Sequence, residues 1–262
     1  MGLTAFLVGC ADENEEPSAE TRRQLEKSLA RYETYLQRNA GKLLHWTETI
    51  VLKVGEGSVP KAQSRYAASR IPYGRIDPVA DLRVELAAYR EIEEGIFGEE
   101  SAVGLAPVAK GLRGDVGDLR KQIAAADYSP PEVTAGASAV LEEVLESGLP
   151  GESEPDSGTT LTTVAAQTEG VDAALEAVEP LLAEIDPDLL ARIDVQLDQV
   201  YETVGEYGTF AKEPEQSRPQ EPGIAFVVYS ELDSEAIRGI AQPIENLAKL
   251  ITQAQPEIES SV

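Results

Sequence analysis

An apolar residue at every third or fourth position, repeated in one segment after another, constrains the fold of this 262-residue chain most strongly. Such spacing places a single apolar stripe along an α-helix. In the segment 21–54 the stripe consists of Leu25, Leu29, Tyr32, Leu36, Leu43, Trp46 and Ile50. The same pattern predicts eight helices, over residues 21–54, 58–66, 81–97, 105–126, 132–149, 159–185, 187–204 and 233–254.

Prolines and polar loops separate these helices. Pro72 and Pro78 are predicted to kink or interrupt the second helix, and the Pro130-Pro131 pair to separate the fourth from the fifth. The segments 150–158 and 209–223 are loops by composition. The run 224–230 is the only strand-like stretch, and without a partner strand we interpret it as an extended lead-in to the last helix.

The predicted fold is therefore all-α. Each helix is apolar on one stripe only and needs neighbours, which favours two packed antiparallel helical bundles. The first would cover residues 21 to about 128, the second about 130 to 262, and residues 1–20 would lie outside both. No run of about 18 apolar residues occurs, so no membrane-spanning helix is predicted.

The chain is strongly acidic, with 47 acidic against 22 basic residues and a formal net charge of −25. A nucleic acid backbone would be repelled, so nucleic acid is not an expected partner. Cations and basic partners are compatible with this charge, and so is an acidic surface that only maintains solubility.

Cys10 is the only cysteine and ends the stretch LVGC, which has the form of a bacterial lipobox. The polar segment that follows, up to residue 20, resembles the flexible tether of a lipoprotein. The apolar stretch before Cys10 is short for a signal peptide and has no basic residue. We predict lipidation at Cys10; a chance match remains the alternative.

Motifs of peptidases are missing from the sequence. There is one histidine, His45, so neither a His-Glu-x-x-His zinc site nor a second histidine as base is possible, and no Gly-x-Ser-x-Gly occurs. His45 and Glu48 spell His-x-x-Glu on the first helix. Because Trp46 continues the apolar stripe, we interpret His45 as a neighbour of the core rather than a metal ligand. No enzymatic activity is predicted.

Four stretches, in this order, resemble blocks of the imelysin-like family, and within it those of the periplasmic iron-uptake lipoproteins of the EfeO/EfeM type. They are RYAASRIPYGRIDPVADL (65–82), AYREIEEGIF (88–97), LTTVAAQTEGVDAALEAVEPLL (161–182) and FVVYSELDSEAIRGIAQPI (226–244). The resemblance implies a helical fold and a metal site. In the family, the blocks normally carry Tyr-Glu-x-x-Glu-Pro, His-x-x-Glu and His-Thr-Asp-x-x-Asp, sets that suit iron or another divalent cation.

This chain departs from those blocks. The two glutamates of the first block correspond to Gly74 and Asp77, and the histidine of the second to Arg90, while Glu93 is kept. The histidine and the two aspartates of the third block correspond to Gly158, Thr160 and Thr163.

The resemblance therefore leaves Asp77 and Glu93, with Glu169 in a neighbouring acidic position, as candidate metal ligands. The alternative is that Asp77 caps a helix before Pro78 and that Glu93 pairs with an arginine.

A second candidate site is the stripe of Tyr66, Arg70, Tyr73 and Arg90, in which Arg75 also falls. These side chains would either hold an acidic ligand or pair with the glutamates of segment 90–100, and we expect the second.

The resemblance predicts an extracytoplasmic, lipid-anchored helical protein linked to iron uptake. It would capture a metal ion or assist a membrane iron transporter, with iron or another divalent cation as its ion. The alternative is a scaffold or interaction lipoprotein that kept the fold and lost the ligands.

Overall fold

The computed structural model describes residues 16–79, 87–152, 154–209, 226 and 228–262. These residues form eight α-helices and no strand. The helices are α1 (Ala19–Gly55), α2 (Val59–Ile76), α3 (Ala87–Glu93), α4 (Leu105–Ala125), α5 (Pro130–Glu143), α6 (Thr160–Ile185), α7 (Pro187–Gly205) and α8 (Ser234–Ser260). A π-helical turn extends α3 over Glu94–Gly98 and α5 over Val144–Gly148, and Tyr229–Glu231 form a 3₁₀ turn.

Helix α1 buries its predicted stripe, with Leu36, Leu43 and Ile50 fully inaccessible to solvent. Its first turn is fixed by polar contacts, because the Ser18 hydroxyl accepts a hydrogen bond from the backbone N–H of Thr21 at 3.1 Å. The Ser18 backbone N–H and hydroxyl in turn donate to the carboxylate of Glu184, near the end of α6, at 2.7 and 2.8 Å. The start of α1 is thereby attached to the end of α6.

Helix α2 corrects the sequence prediction, because it continues through Pro72 to Ile76. Proline removes one backbone hydrogen bond, but nearly every residue from Ala68 to Ile76 is buried. This half of α2 packs against α6, so tertiary packing outweighs the local cost of the proline.

Two other helix boundaries differ from the prediction, and both lie at prolines that the helices include. Pro130 begins α5, where a missing N–H is harmless, and the Glu132 carboxylate accepts a hydrogen bond from the Ser129 N–H at 3.0 Å. Helix α8 continues through Pro256 to Ser260, with Ile258 fully buried. The predicted third helix is described only from residue 87, and residues 80–86 lie outside the described part.

The all-α prediction is confirmed. Helix α1 packs against α2 and α4, and α8 packs against α5 and α7. Helix α6 contacts members of both groups, and a single apolar core runs through them. The division at about residue 128 stays a prediction. Within the described ranges, no helix combines the length and apolar character needed to cross a membrane.

Candidate functional site

Helices α2 and α6 cross at very short range because each contributes a glycine to the crossing. A Cβ on Gly74 would lie 3.0 Å from both the backbone oxygen of Thr163 and the backbone nitrogen of Gln167. A Cβ on Gly170 would lie 2.8 Å from the backbone oxygen of Arg75. Any larger residue at 74 would push the helices apart. The crossing thus holds the start of α6 against the second half of α2.

A buried ion pair lies beside this crossing. The guanidinium of Arg70 on α2 contacts the carboxylate of Glu154, which comes from the 154–159 loop before α6. The hydroxyl of Thr163 donates to the same carboxylate at 2.8 and 2.9 Å and accepts from Arg70 Nε at 3.3 Å. The Thr159 hydroxyl donates to Glu154 Oε2 at 3.0 Å. The side chains of Arg70 and Glu154 are only 9% and 1% exposed.

Tyrosine rings surround the Arg70 guanidinium. Its central carbon lies 4.4 Å from the ring centroid of Tyr73 and 5.3 Å from that of Tyr89, both within the range of cation–π attraction. Burial raises the pKa of Tyr66 well above its ordinary value, and it raises the pKa values of Tyr73 and Tyr89 as well, so all three rings stay neutral. Burial is the largest single influence on Arg70 and acts to lower its pKa, but the Glu154 carboxylate and the three tyrosines together outweigh burial, so the pKa is raised.

Glu93, the retained glutamate of the second block, lies in the interior with no exposed surface. Its Oε1 accepts hydrogen bonds from the backbone N–H groups of Asp156 and Ser157 at 3.2 and 2.9 Å, and from the Ser157 hydroxyl at 2.8 Å. Its Oε2 has no hydrogen-bond partner in the described part of the chain. Glu93 therefore holds the 154–159 loop in place and pairs with no arginine among these contacts.

The other two candidate ligands have different partners. Asp77 is the C-cap residue directly after α2, and its Oδ2 accepts a hydrogen bond from Gln167 Nε2 at 2.6 Å. Glu169 pairs with Arg75, with 2.8 Å between Oε2 and Nε. Each carboxylate is thus engaged by a neighbouring side chain across the α2–α6 crossing.

Asp77, Glu93 and Glu169 do not form a metal-binding group in this structure. Nor do any three or more other histidine, cysteine, aspartate or glutamate residues within the described ranges. Metal binding by these three residues stays a prediction, and it would need a rearrangement of their present hydrogen bonds.

Only three of the four residues of the predicted tyrosine–arginine stripe lie together in the structure. Tyr66 and Arg70 are buried and Tyr73 is partly buried against the core. Tyr66 and Tyr89 pack edge to face with 5.6 Å between ring centroids. Arg90 is exposed and donates to the backbone oxygen of Glu152 at 2.9 Å, so it does not belong to this interior group.

The predicted partners of Arg70 and Arg75 were wrong. Arg70 pairs with Glu154 and Arg75 with Glu169, rather than with glutamates of segment 90–100. The face of α2 that carries these arginines packs against α6 and the loop before it, which brings those acids within reach.

Glu154 is the functional-site residue that the sequence did not reveal. It lies in PGESEPDSG (150–158), which has no helical periodicity and shows only loop composition. The available signal was indirect: a buried Arg70 requires a carboxylate, and the threonines at the start of α6 are suited to hold one.

His45 and Glu48, the His-x-x-Glu pair on α1, do not contribute to a common site. His45 is exposed and packs edge to face on Trp46, with 5.2 Å between ring centroids. Glu48 pairs with Arg113 of α4, with 2.9 Å between Oε1 and Nη2. The two side chains are thus used in different contacts.

Comparisons with known proteins agree with this architecture. The chain is 27% identical over 202 residues to the iron uptake system component EfeO of Escherichia coli (strain K12), and to that of Shigella flexneri. The alignment covers 70% of this chain and 54% of each relative, so the chain spans about half the length of the curated relatives it matches. The imelysin family model matches residues 80–253, which is more than half of the chain. The chain therefore belongs to the imelysin family.

Proposed function

We propose that this protein is a non-enzymatic component of an iron-uptake system that acts outside the cytoplasmic membrane, with iron as its cargo. The observation that carries the proposal is the identity of 27% over 202 residues to iron uptake system components named EfeO. Membership of the imelysin family and the strongly acidic composition agree with it, since a net charge of −25 attracts cations.

Attachment to a membrane through a lipid on Cys10 is part of this proposal. Cys10 lies outside the described residues, so its support is the LVGC sequence and the polar segment after it. Expression in a bacterial host with a labelled fatty acid tests it. We expect label on the wild-type protein and none on Cys10→Ser, and an unlabelled wild-type protein that reaches the envelope would refute lipidation.

Metal capture is the first form that the function could take. It would use Asp77, Glu93 and Glu169, after the hydrogen bonds that now occupy them have opened. Calorimetric titration of the whole chain with ferric, ferrous, zinc, copper and calcium ions tests this form. We expect binding tighter than about millimolar, a loose bound for a working carrier or sensor site.

Variants make the titration specific. Glu93→Gln should weaken ion binding, whereas Asp118→Asn should not, because Asp118 is exposed and pairs with Lys121 on the surface. Failure of every ion to bind tighter than millimolar would refute metal capture by this chain. It would leave the assisting role open.

The second form is an interaction protein that assists a membrane iron transporter without holding the ion. The Arg70–Glu154 pair favours it, because a cation of the protein itself already neutralises the buried carboxylate of Glu154. Capture of partners from detergent-solubilised membranes distinguishes the two forms. A stoichiometric partner that survives chelator treatment supports this form, and a partner lost on chelation contradicts it.

A further inference from the structure

We infer that Arg70, Thr163 and the tyrosines around them form a binding site for a carboxylate ligand, and that the chain's own Glu154 occupies this site in the closed state. The inference goes beyond the proposed function and does not depend on it.

The receiving side of the site is built entirely on helices. Arg70 and Tyr73 belong to α2, Tyr89 to α3 and Thr163 to α6. The guanidinium carbon lies over both tyrosine rings, 4.4 and 5.3 Å from their centroids, which helps to hold it in place. Such a charge, held in advance and screened from water, is suited to a planar carboxylate.

The carboxylate that fills the site comes from a loop, not from a helix. Glu154 contacts Arg70, Thr159 and Thr163, and these contacts all involve its carboxylate oxygens. A ligand carboxylate in the same place would meet the guanidinium and the Thr163 hydroxyl unchanged. Glu154 therefore acts as a tethered competitor for any such ligand.

The loop closes at a cost. In the described part of the chain, Glu93 Oε2 and Thr160 Oγ1 are buried beside it without a hydrogen-bond partner. Gly158 has a φ of +66°, and a Cβ there would lie 2.8 Å from Val228 Cγ1. A left-handed glycine at the end of the loop is a natural pivot, and the unpaired atoms would gain partners when water enters.

Tyr229 holds the loop from outside. Its hydroxyl donates to the backbone oxygen of Leu149, and its N–H donates to the backbone oxygen of Gly158 at 3.4 Å. Displacement of Glu154 would have to loosen these two Tyr229 hydrogen bonds. Ligand binding should therefore also alter the 3₁₀ turn Tyr229–Glu231.

Calorimetric titration of the whole chain with propionate, citrate, and a short peptide with a free or an amidated C-terminus tests the inference, with phosphate as the control anion. We expect Glu154→Gln to bind at least one carboxylate ten times more tightly than the wild type, because the competitor is removed. Arg70→Met should abolish binding. Glu152→Gln, an exposed loop glutamate, should bind like the wild type.

Hydrogen exchange on the wild type keeps the inference testable if Glu154→Gln does not fold. The amides of Asp156 and Ser157, which donate to Glu93, should exchange faster when the carboxylate ligand is present. A folded Glu154→Gln that binds no carboxylate would overturn the inference. Binding that Arg70→Met retains would also overturn it. So would a wild type that shows neither binding nor faster exchange at the highest ligand concentration used.

Discussion

Loss of the Glu154 carboxylate should strongly destabilise the protein. In Glu154→Gln, Arg70 stays charged and buried but loses its counter-charge, since its side chain is only 9% exposed. Breaking a buried ion pair by removing one partner costs about 3–5 kcal/mol. The glutamine oxygen can still accept from Thr159 and Thr163, so we expect the lower end of that range, about 3 kcal/mol. For a domain of this size this corresponds to a decrease in Tm of roughly 6–12 °C.

Urea denaturation followed by circular dichroism measures this change in the free energy of unfolding. Glu152→Gln is the matched control, because it removes a carboxylate of the same stretch that is exposed, and it should change stability by less than about 0.5 kcal/mol. The double variant Arg70→Met/Glu154→Gln should recover much of the loss, because no buried charge remains. A Glu154→Gln protein within about 0.5 kcal/mol of the wild type would refute the reasoning.

Three further predictions concern other parts of the fold. Gly74→Ala should destabilise the protein by about 1–3 kcal/mol, because the new Cβ meets the backbone of α6. Gly41→Ala has open space around the new Cβ and should stabilise α1 by up to about 1 kcal/mol. Urea denaturation of both variants measures these changes. Burial raises the pKa of Asp172; a hydrogen bond from Tyr201 opposes this, and the nearby Asp194 and Asp198 add to the rise, so the ionised carboxylate weakens the folded state at neutral pH. Asp172→Asn should therefore be more stable than the wild type at pH 7. A pH series of denaturation curves should show that the difference is gone below about pH 3, where Asp172 is protonated in both the folded and the unfolded wild type. Ser129→Ala should cost about 1 kcal/mol and raise the pKa of Glu132, which hydrogen bonds from Ser129 now lower, as an NMR titration would report.

The sequence predicts the helices well where packing and periodicity agree. The stripe of α1 is buried as its spacing indicates, and α4 buries Leu112, Val116 and Leu119 in the same way. It fails where local and tertiary preferences conflict. Pro72 signals an interruption, but burial against α6 keeps α2 helical, and no local pattern contains that information.

The candidate site was less accessible to prediction than the fold. The sequence pattern predicts Arg70 and Tyr73 as members of one stripe, and the structure brings them together. It did not find Glu154, since a loop residue can reach a distant helix only through the path of the whole chain. The pairing joins positions 84 residues apart, and neither periodicity nor composition records such a contact.

Gly74 and the Arg70–Glu154 pair are parts of one arrangement. Because position 74 has no side chain, the backbone of α2 can touch α6 at Thr163, and this contact brings the Thr163 hydroxyl within 3.3 Å of Arg70 and 2.8 Å of Glu154. A glutamate at 74 would restore the residue type of the family block, but its Cβ would force α6 away and break these hydrogen bonds. The close helix crossing and a carboxylate ligand at 74 therefore exclude each other. A carboxylate ligand cannot be introduced into this interior by that one substitution unless α6 moves.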